Sequence, residues 1–139
     1  MPAFSKFNCF VEDLGRAKHN LDSDTLKVML TNSAPSASNT VKGDITEISA
    51  GNGYSAGGST VASTDYTQTS GTAKLTGTDV TFTASGGSIA SWRYAVLYND
   101  TSATDALIGY WDYGSSRVIA SGESFPIDWD ATNGILQVA

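Results

Sequence analysis

The sequence predicts a mainly β protein, an antiparallel β-sandwich or small barrel with one short N-terminal helix. Three observations lead there. From residue 25 the period changes to two: in several short runs apolar residues recur at every second position, as in a strand with one buried face. Turn residues punctuate these runs at short intervals, as sandwiches and barrels require. Only residues 4–21 keep the three- and four-residue spacing of a helix. A single domain is expected over residues 1–139, divided into the helix at 4–21 and a β-domain at 25–139. A chain of this length buries roughly two-thirds of the surface its unfolded form exposes, enough for one core.

The helix is read from Phe4, Phe7, Val11 and Leu14, which make one apolar stripe, widened by Phe10, Ala17 and Leu21. Gly15 weakens its middle by about 1 kcal/mol relative to alanine. A helix this short is not stable alone, so its apolar face must lie on the chain's own sheet or on a neighbouring subunit. "TLKVML" then puts Leu26, Val28 and Leu30 on one face of a strand, and "NSAPSASNT" reads as a loop. Residues 31–60 are the longest stretch without clear periodicity. "STVASTDY" is strand-like, and "DVTFTA" alternates Val80 and Phe82 with threonines. "SWRYAVLY" places Trp92, Tyr94, Val96 and Tyr98 on one face and Ala95 and Leu97 on the other. Both faces are apolar, which predicts a central strand. After the polar turn "NDTSATD", "ALIGYWDY" returns antiparallel, and "SRVIA" follows as a separate strand after "GSS". In "FPIDW", Pro126 predicts an edge or a strand start. Asn133-Gly134 is a tight-turn signal before the closing "ILQVA".

Composition narrows the chemistry. Charged residues are 16%, the net charge is −6 and the eight basic residues are scattered. An acidic surface with no basic stripe argues against binding a phosphate backbone. Cys9 is the only cysteine, so no intrachain disulfide is expected, which suits a reducing cytosol. With His19 the only histidine, no His/Cys metal site is expected. No apolar run approaches the ~18 residues of a membrane span. "MPAFSKFNCF" lacks the basic region and apolar stretch of a secretion signal.

"GNGYSAGG" at 51–58 is the stretch that most invites a chemical reading. A dinucleotide fingerprint needs its glycines between a strand and a helix, whose N-terminus attracts the phosphate. Here a strand-like segment follows, and no Gly-Lys-Ser/Thr is present. The expectation is a bent loop in which Gly51, Gly53, Gly57 and Gly58 supply positive φ and Tyr54 pins the loop by packing its ring. Two carboxylate pairs, Asp22/Asp24 and Asp128/Asp130, do not match a twelve-residue calcium loop. The first pair reads as a helix end or turn, the second as the solvent face of a strand. His19, near the expected helix C-terminus, would favour its charged form and cap the helix. No Gly-x-Ser-x-Gly is present. Trp92, Tyr94, Tyr98, Tyr110, Trp111, Tyr113 and Trp129 crowd the C-terminal half. They are expected in the core first, at a subunit interface second and on a sugar platform third. No catalytic residue, cofactor or metal is expected.

Three stretches, "SDTLKVMLTNSAP", "DITEISAGNGYSAGG" and "RYAVLYNDTSATDALIGYWDYG", occur in this order, followed by "ASGESFPIDW" and "GILQV". In these the chain resembles a widespread family of small tailed-bacteriophage structural proteins, encoded among head and tail genes. The resemblance covers nearly the whole chain. It implies virion assembly without catalysis. Within that class a capsid decoration, or cement, protein is expected: small, mainly β, acidic, often trimeric, seated on the outer shell. Its partners would be the major capsid protein and copies of itself, as a homotrimer, with no nucleic acid and no membrane. It would be made in the host cytoplasm and end on the capsid surface. Phe4, Phe7, Phe10, Val11 and Leu14 are the residues expected to dock on a neighbour. A tail or head-fibre component is the alternative within the class, and a carbohydrate-binding β-sandwich module the alternative outside it.

Overall fold

A computed structural model describes residues 1–139. The chain is mainly β and antiparallel, with one short helix. Its strands are β1 (Phe4–Lys6), β2 (Leu26–Thr31), β3 (Ser59–Thr60), β4 (Asp65–Thr69), β5 (Thr72–Thr76), β6 (Val80–Thr83), β7 (Ile89–Asn99), β8 (Leu107–Ile119), β9 (Ser124–Ile127) and β10 (Leu136–Val138). The helix α1 spans Asn8–Gly15. A five-stranded sheet runs in the order β1-β8-β7-β2-β3, accompanied by a three-stranded sheet β10-β5-β4 and a two-stranded sheet β6-β9. Pro126 lies in β9, a strand of that two-stranded sheet.

The main core draws side chains from all three sheets and includes Val28, Leu30, Leu75, Phe82, Leu97, Ile108 and Trp111. A smaller cluster of Phe7, Met29, Ile45, Val96, Tyr98 and Leu107 covers the opposite face of the large sheet. Strand alternation sorts these residues: Val28 and Leu30 go to one side, Met29 to the other. β7 is thus buried on both faces between β8 and β2, the central strand its sequence predicts.

Three local expectations are corrected. The helix is not 4–21. Phe4–Lys6 is an edge strand paired with Trp111–Gly109 of β8, and Phe4 lays its ring against Trp111, 5.5 Å between centroids. Phe7 is still extended at φ −75°, ψ 147°. At the other end, Ala17 turns to φ 61° and the Lys18 N–H reaches back to Asp13 O at 2.9 Å, closing the helix. Second, "GSS" does not separate two strands. β8 continues through it, and the register steps from Trp92↔Arg117 to Tyr94↔Asp112, so β8 carries the extra residues as a bulge. Third, this irregularity shifts the phase of β7. Trp92 enters the main core with Ala95 and Leu97, whereas Val96 and Tyr98 face the second cluster. A strict alternation puts Trp92 on the wrong side.

Burial also corrects the expected docking face. Phe7 is 0% and Phe10 3% exposed, each packed within the chain's own core. Phe4 and Leu14 are half-buried against the main core, and only Val11, 54% exposed, lies open. The phenylalanines turn inward because a strand and a helix at this junction present them to opposite faces of the large sheet: Phe7 to the smaller cluster, Phe10 to the main one.

Candidate functional site: a locked glycine loop

The long irregular stretch after β2 is held by a small polar hub. Tyr54 is buried and packs its ring near Phe82, with centroids 5.7 Å apart. Its hydroxyl accepts a hydrogen bond from the Leu30 backbone N–H at 3.0 Å and donates to Glu47 Oε2 at 2.6 Å. The same carboxylate oxygen accepts the Gly57 N–H at 2.6 Å, while Lys42 Nζ lies 3.4 Å from Glu47 Oε1. From the other side of the loop, the Tyr98 hydroxyl donates to Gly57 O at 2.7 Å. Burial, followed by the hydrogen bond to Glu47, pushes the Tyr54 phenol far above its ordinary value. Burial also raises the Tyr98 phenol, helped by Asp100, Asp105 and Glu47. Both rings therefore remain hydroxyl donors at any physiological pH.

The glycines serve the geometry of this hub. Gly51, Gly53, Gly57 and Gly58 have φ of 132°, 100°, 90° and 78°. A Cβ on Gly58 would stand 1.8 Å from Val28 O, and one on Gly53 2.1 Å from Thr83 O. The backbone thus runs against β2 on one side and against the end of β6 on the other. The loop leads into β3, a strand, and no helix N-terminus stands behind it. The Gly57 N–H that a phosphate would use already binds a carboxylate, whose charge repels an anion. The donors and acceptors of this site are taken up by one another, and what the arrangement does is fix a loop on a sheet. Tyr54→Phe is expected to cost about 1–3 kcal/mol, because it leaves the buried Leu30 N–H without its acceptor and removes a donor from Glu47. Urea unfolding of the two proteins measures this directly.

The other candidates fall in separate places. Asp22 is exposed and accepts the Tyr66 N–H, tying the Asn20–Asp24 turn to β4. Asp24 accepts from Asn20 N and from Asn99 Nδ2. Asp128 and Asp130 are both exposed just beyond β9. The N–H groups of Asn133 and Thr132 hold Asp130 below the usual carboxylate range, as a turn cap. Asp79 is raised by burial and by Asp128 beside it. His19 does not cap the helix as a cation. It is buried, and burial lowers its basicity below the ordinary histidine range. Cys9 is half-buried, with burial raising its thiol. Trp92, Trp111 and Trp129 are at most 6% exposed, so their faces are core surface. Tyr113 and Arg117 form a partly open cluster with Phe125, and burial lifts the Tyr113 phenol to about 12.

Glu47 and Asn99 were not singled out from sequence, and Tyr98 was read only as one of the crowded aromatic residues, although the three organise the polar interior. Glu47 lies in the stretch without clear periodicity, Tyr98 and Asn99 at the end of a strand whose alternation reports only burial, and the fold brings them to their partners. Comparison with family models, curated proteins and solved structures found no match for this chain.

Proposed function

We propose that the chain is a bacteriophage virion structural protein, and within that class a capsid decoration protein that binds the outer shell and stabilises the head. The observation that carries this reading is a convergence. The three stretches on which the family resemblance rests meet at one hub: Leu30 from the first, Glu47, Tyr54 and Gly57 from the second, Tyr98 from the third. Residues that mark the resemblance thus build a rigid scaffold, the requirement of a part whose task is to hold its shape under load.

The mechanism of such a part is energetic. Packaged DNA pushes the shell outward, and a clamp across several capsid subunits adds buried area that must be lost before the shell opens. An interface of about 1,600 Å² is enough for stable binding, and a homotrimer adds avidity without new contacts. With Phe7 and Phe10 inside the domain, the contact surface must be drawn from exposed residues, of which Val11 and Val118 are the large apolar ones away from the first residue.

Quantitative mass spectrometry of purified virions of the encoding phage tests the reading. Copies in the hundreds per particle, lost with the shell proteins on capsid disruption, are expected. A few copies that purify with tails would transfer the protein to a fibre or tail component. Absence from particles, with binding to a glycan array, would replace the virion role by a carbohydrate-binding module.

A further inference from the structure

His19 sits in a buried polar junction that the glycine-loop hub does not use. Its central member is Asn99, 0% exposed at the end of β7. Asn99 Oδ1 accepts the N–H groups of Thr101 at 2.9 Å and Ser102 at 3.2 Å. These two bonds fix which way the amide points. Its Nδ2 therefore faces His19 Nδ1 at 3.0 Å and Asp24 Oδ2 at 2.7 Å. Because Nδ2 can only donate, His19 Nδ1 must accept. The ring is then neutral with its proton on Nε2, a buried atom without a hydrogen-bond partner.

We propose that His19 is an acid-sensitive latch, holding the segment from α1 to the start of β2 against the β7–β8 turn while it is neutral and releasing it when it is protonated. A second proton would have to enter at Nδ1, where it meets the Asn99 N–H₂ donor to donor. Asn99 cannot flip to accept it without abandoning the Thr101 and Ser102 N–H groups. The ring must leave, and Phe10, whose centroid lies 5.6 Å from it, loses that partner.

The charged groups around the ring are Asp13 and Lys18 from α1 and the turn after it, and Asp24 from the approach to β2. From the β7–β8 side the contact is the neutral Asn99. Asp13 and Asp24 favour a charged ring, but burial outweighs them and Lys18 adds to it, so the closed form takes up its proton below the ordinary value of 6.5. The sign follows. Above that value neither closed nor open form is charged, and the latch holds in full. As pH falls through it, the open form is protonated first and opening becomes more favourable.

With a single histidine in the chain, ring-labelled His19 gives one unambiguous NMR signal. The expected spectrum at about pH 7.5 is that of the Nε2–H tautomer, titrating below 6.5. Hydrogen exchange, corrected for intrinsic rates, should show residues 8–24 opening more readily as pH falls below 6.5, with the one-proton slope of about tenfold per pH unit as its upper limit and β7 amides unaffected. His19→Gln, whose amide oxygen can accept from Asn99, should abolish that slope. An Nδ1–H tautomer, a titration at or above 6.5, or equal slopes in 8–24 and β7 would overturn the latch. The wild-type measurements decide even where the variant does not fold.

Discussion

Gly58→Val is expected to abolish folding or cost well over 4 kcal/mol, the largest effect of any single change in the glycine loop. Two penalties coincide. The backbone sits at φ +78°, where a β-branched residue is strained by roughly 1–3 kcal/mol. The new Cβ would also stand 1.8 Å from Val28 O and 2.7 Å from Met29 Cα, both backbone atoms of a buried strand that cannot yield. Gly51→Val separates the two penalties. Its φ is +132° but nothing lies within 4 Å of the added carbon, so only the strain, roughly 1–3 kcal/mol, applies. Urea denaturation of the two variants side by side should find Gly58→Val unfolded, or nearly so, and Gly51→Val cooperative with a lowered midpoint. Equal stability of both would mean that contact with β2 does not shape the loop.

Phe7→Ala should lower stability by about 3–5 kcal/mol, the range for emptying a fully buried aromatic site. Phe7 is 0% exposed, lies 5.2 Å from the Tyr110 ring between centroids, and packs with Met29, Ile45, Val96 and Leu107. Val11→Ala, on the open side of α1, should stay within about ±0.5 kcal/mol. The pair distinguishes a core role from a docking role. If Phe7→Ala left stability untouched and reduced only the copies per particle, the residue would belong to an interface after all. If Val11→Ala reduced particle occupancy while the domain stayed folded, α1 would still contribute its outer face to a partner.

Strands such as β2, β6 and most of β7 were legible because period-two alternation is a local signal, whereas β1 was read as helix and β5 was not read at all. Leu26, Val28 and Leu30 on β2 and the two apolar faces of β7 can be read directly from residue order. The N-terminal segment misleads for a physical reason. Phe4, Phe7, Val11 and Leu14 keep helical spacing, yet Phe4 packs its ring at a tilt against Trp111 across a strand pair, and no local rule includes Trp111. The bulge that turns Trp92 inward is likewise decided by β8, whose extra residues around Gly114 must be absorbed somewhere. At the glycine loop, positive φ was readable from glycine content. The partners were not: Glu47 reaches Tyr54 and Gly57 only after the chain has folded back over β2. His19 was misread because its distance from the helix end said nothing of Asn99, 80 residues away.

The strand order β1-β8-β7-β2-β3 carries a consequence for biosynthesis. β1 leaves the ribosome first, but its only neighbour in the sheet is β8, which begins at Leu107. At about 5–20 residues per second, the segment holding Phe4 and Phe7 waits on the order of 5–20 s before its partner strand exists. During that interval its aromatic rings are open to chaperones or to other nascent chains. The large sheet therefore cannot close at this edge until Gly109–Trp111 have been made, and truncation before Gly109 leaves an N-terminal strand with nothing to pair.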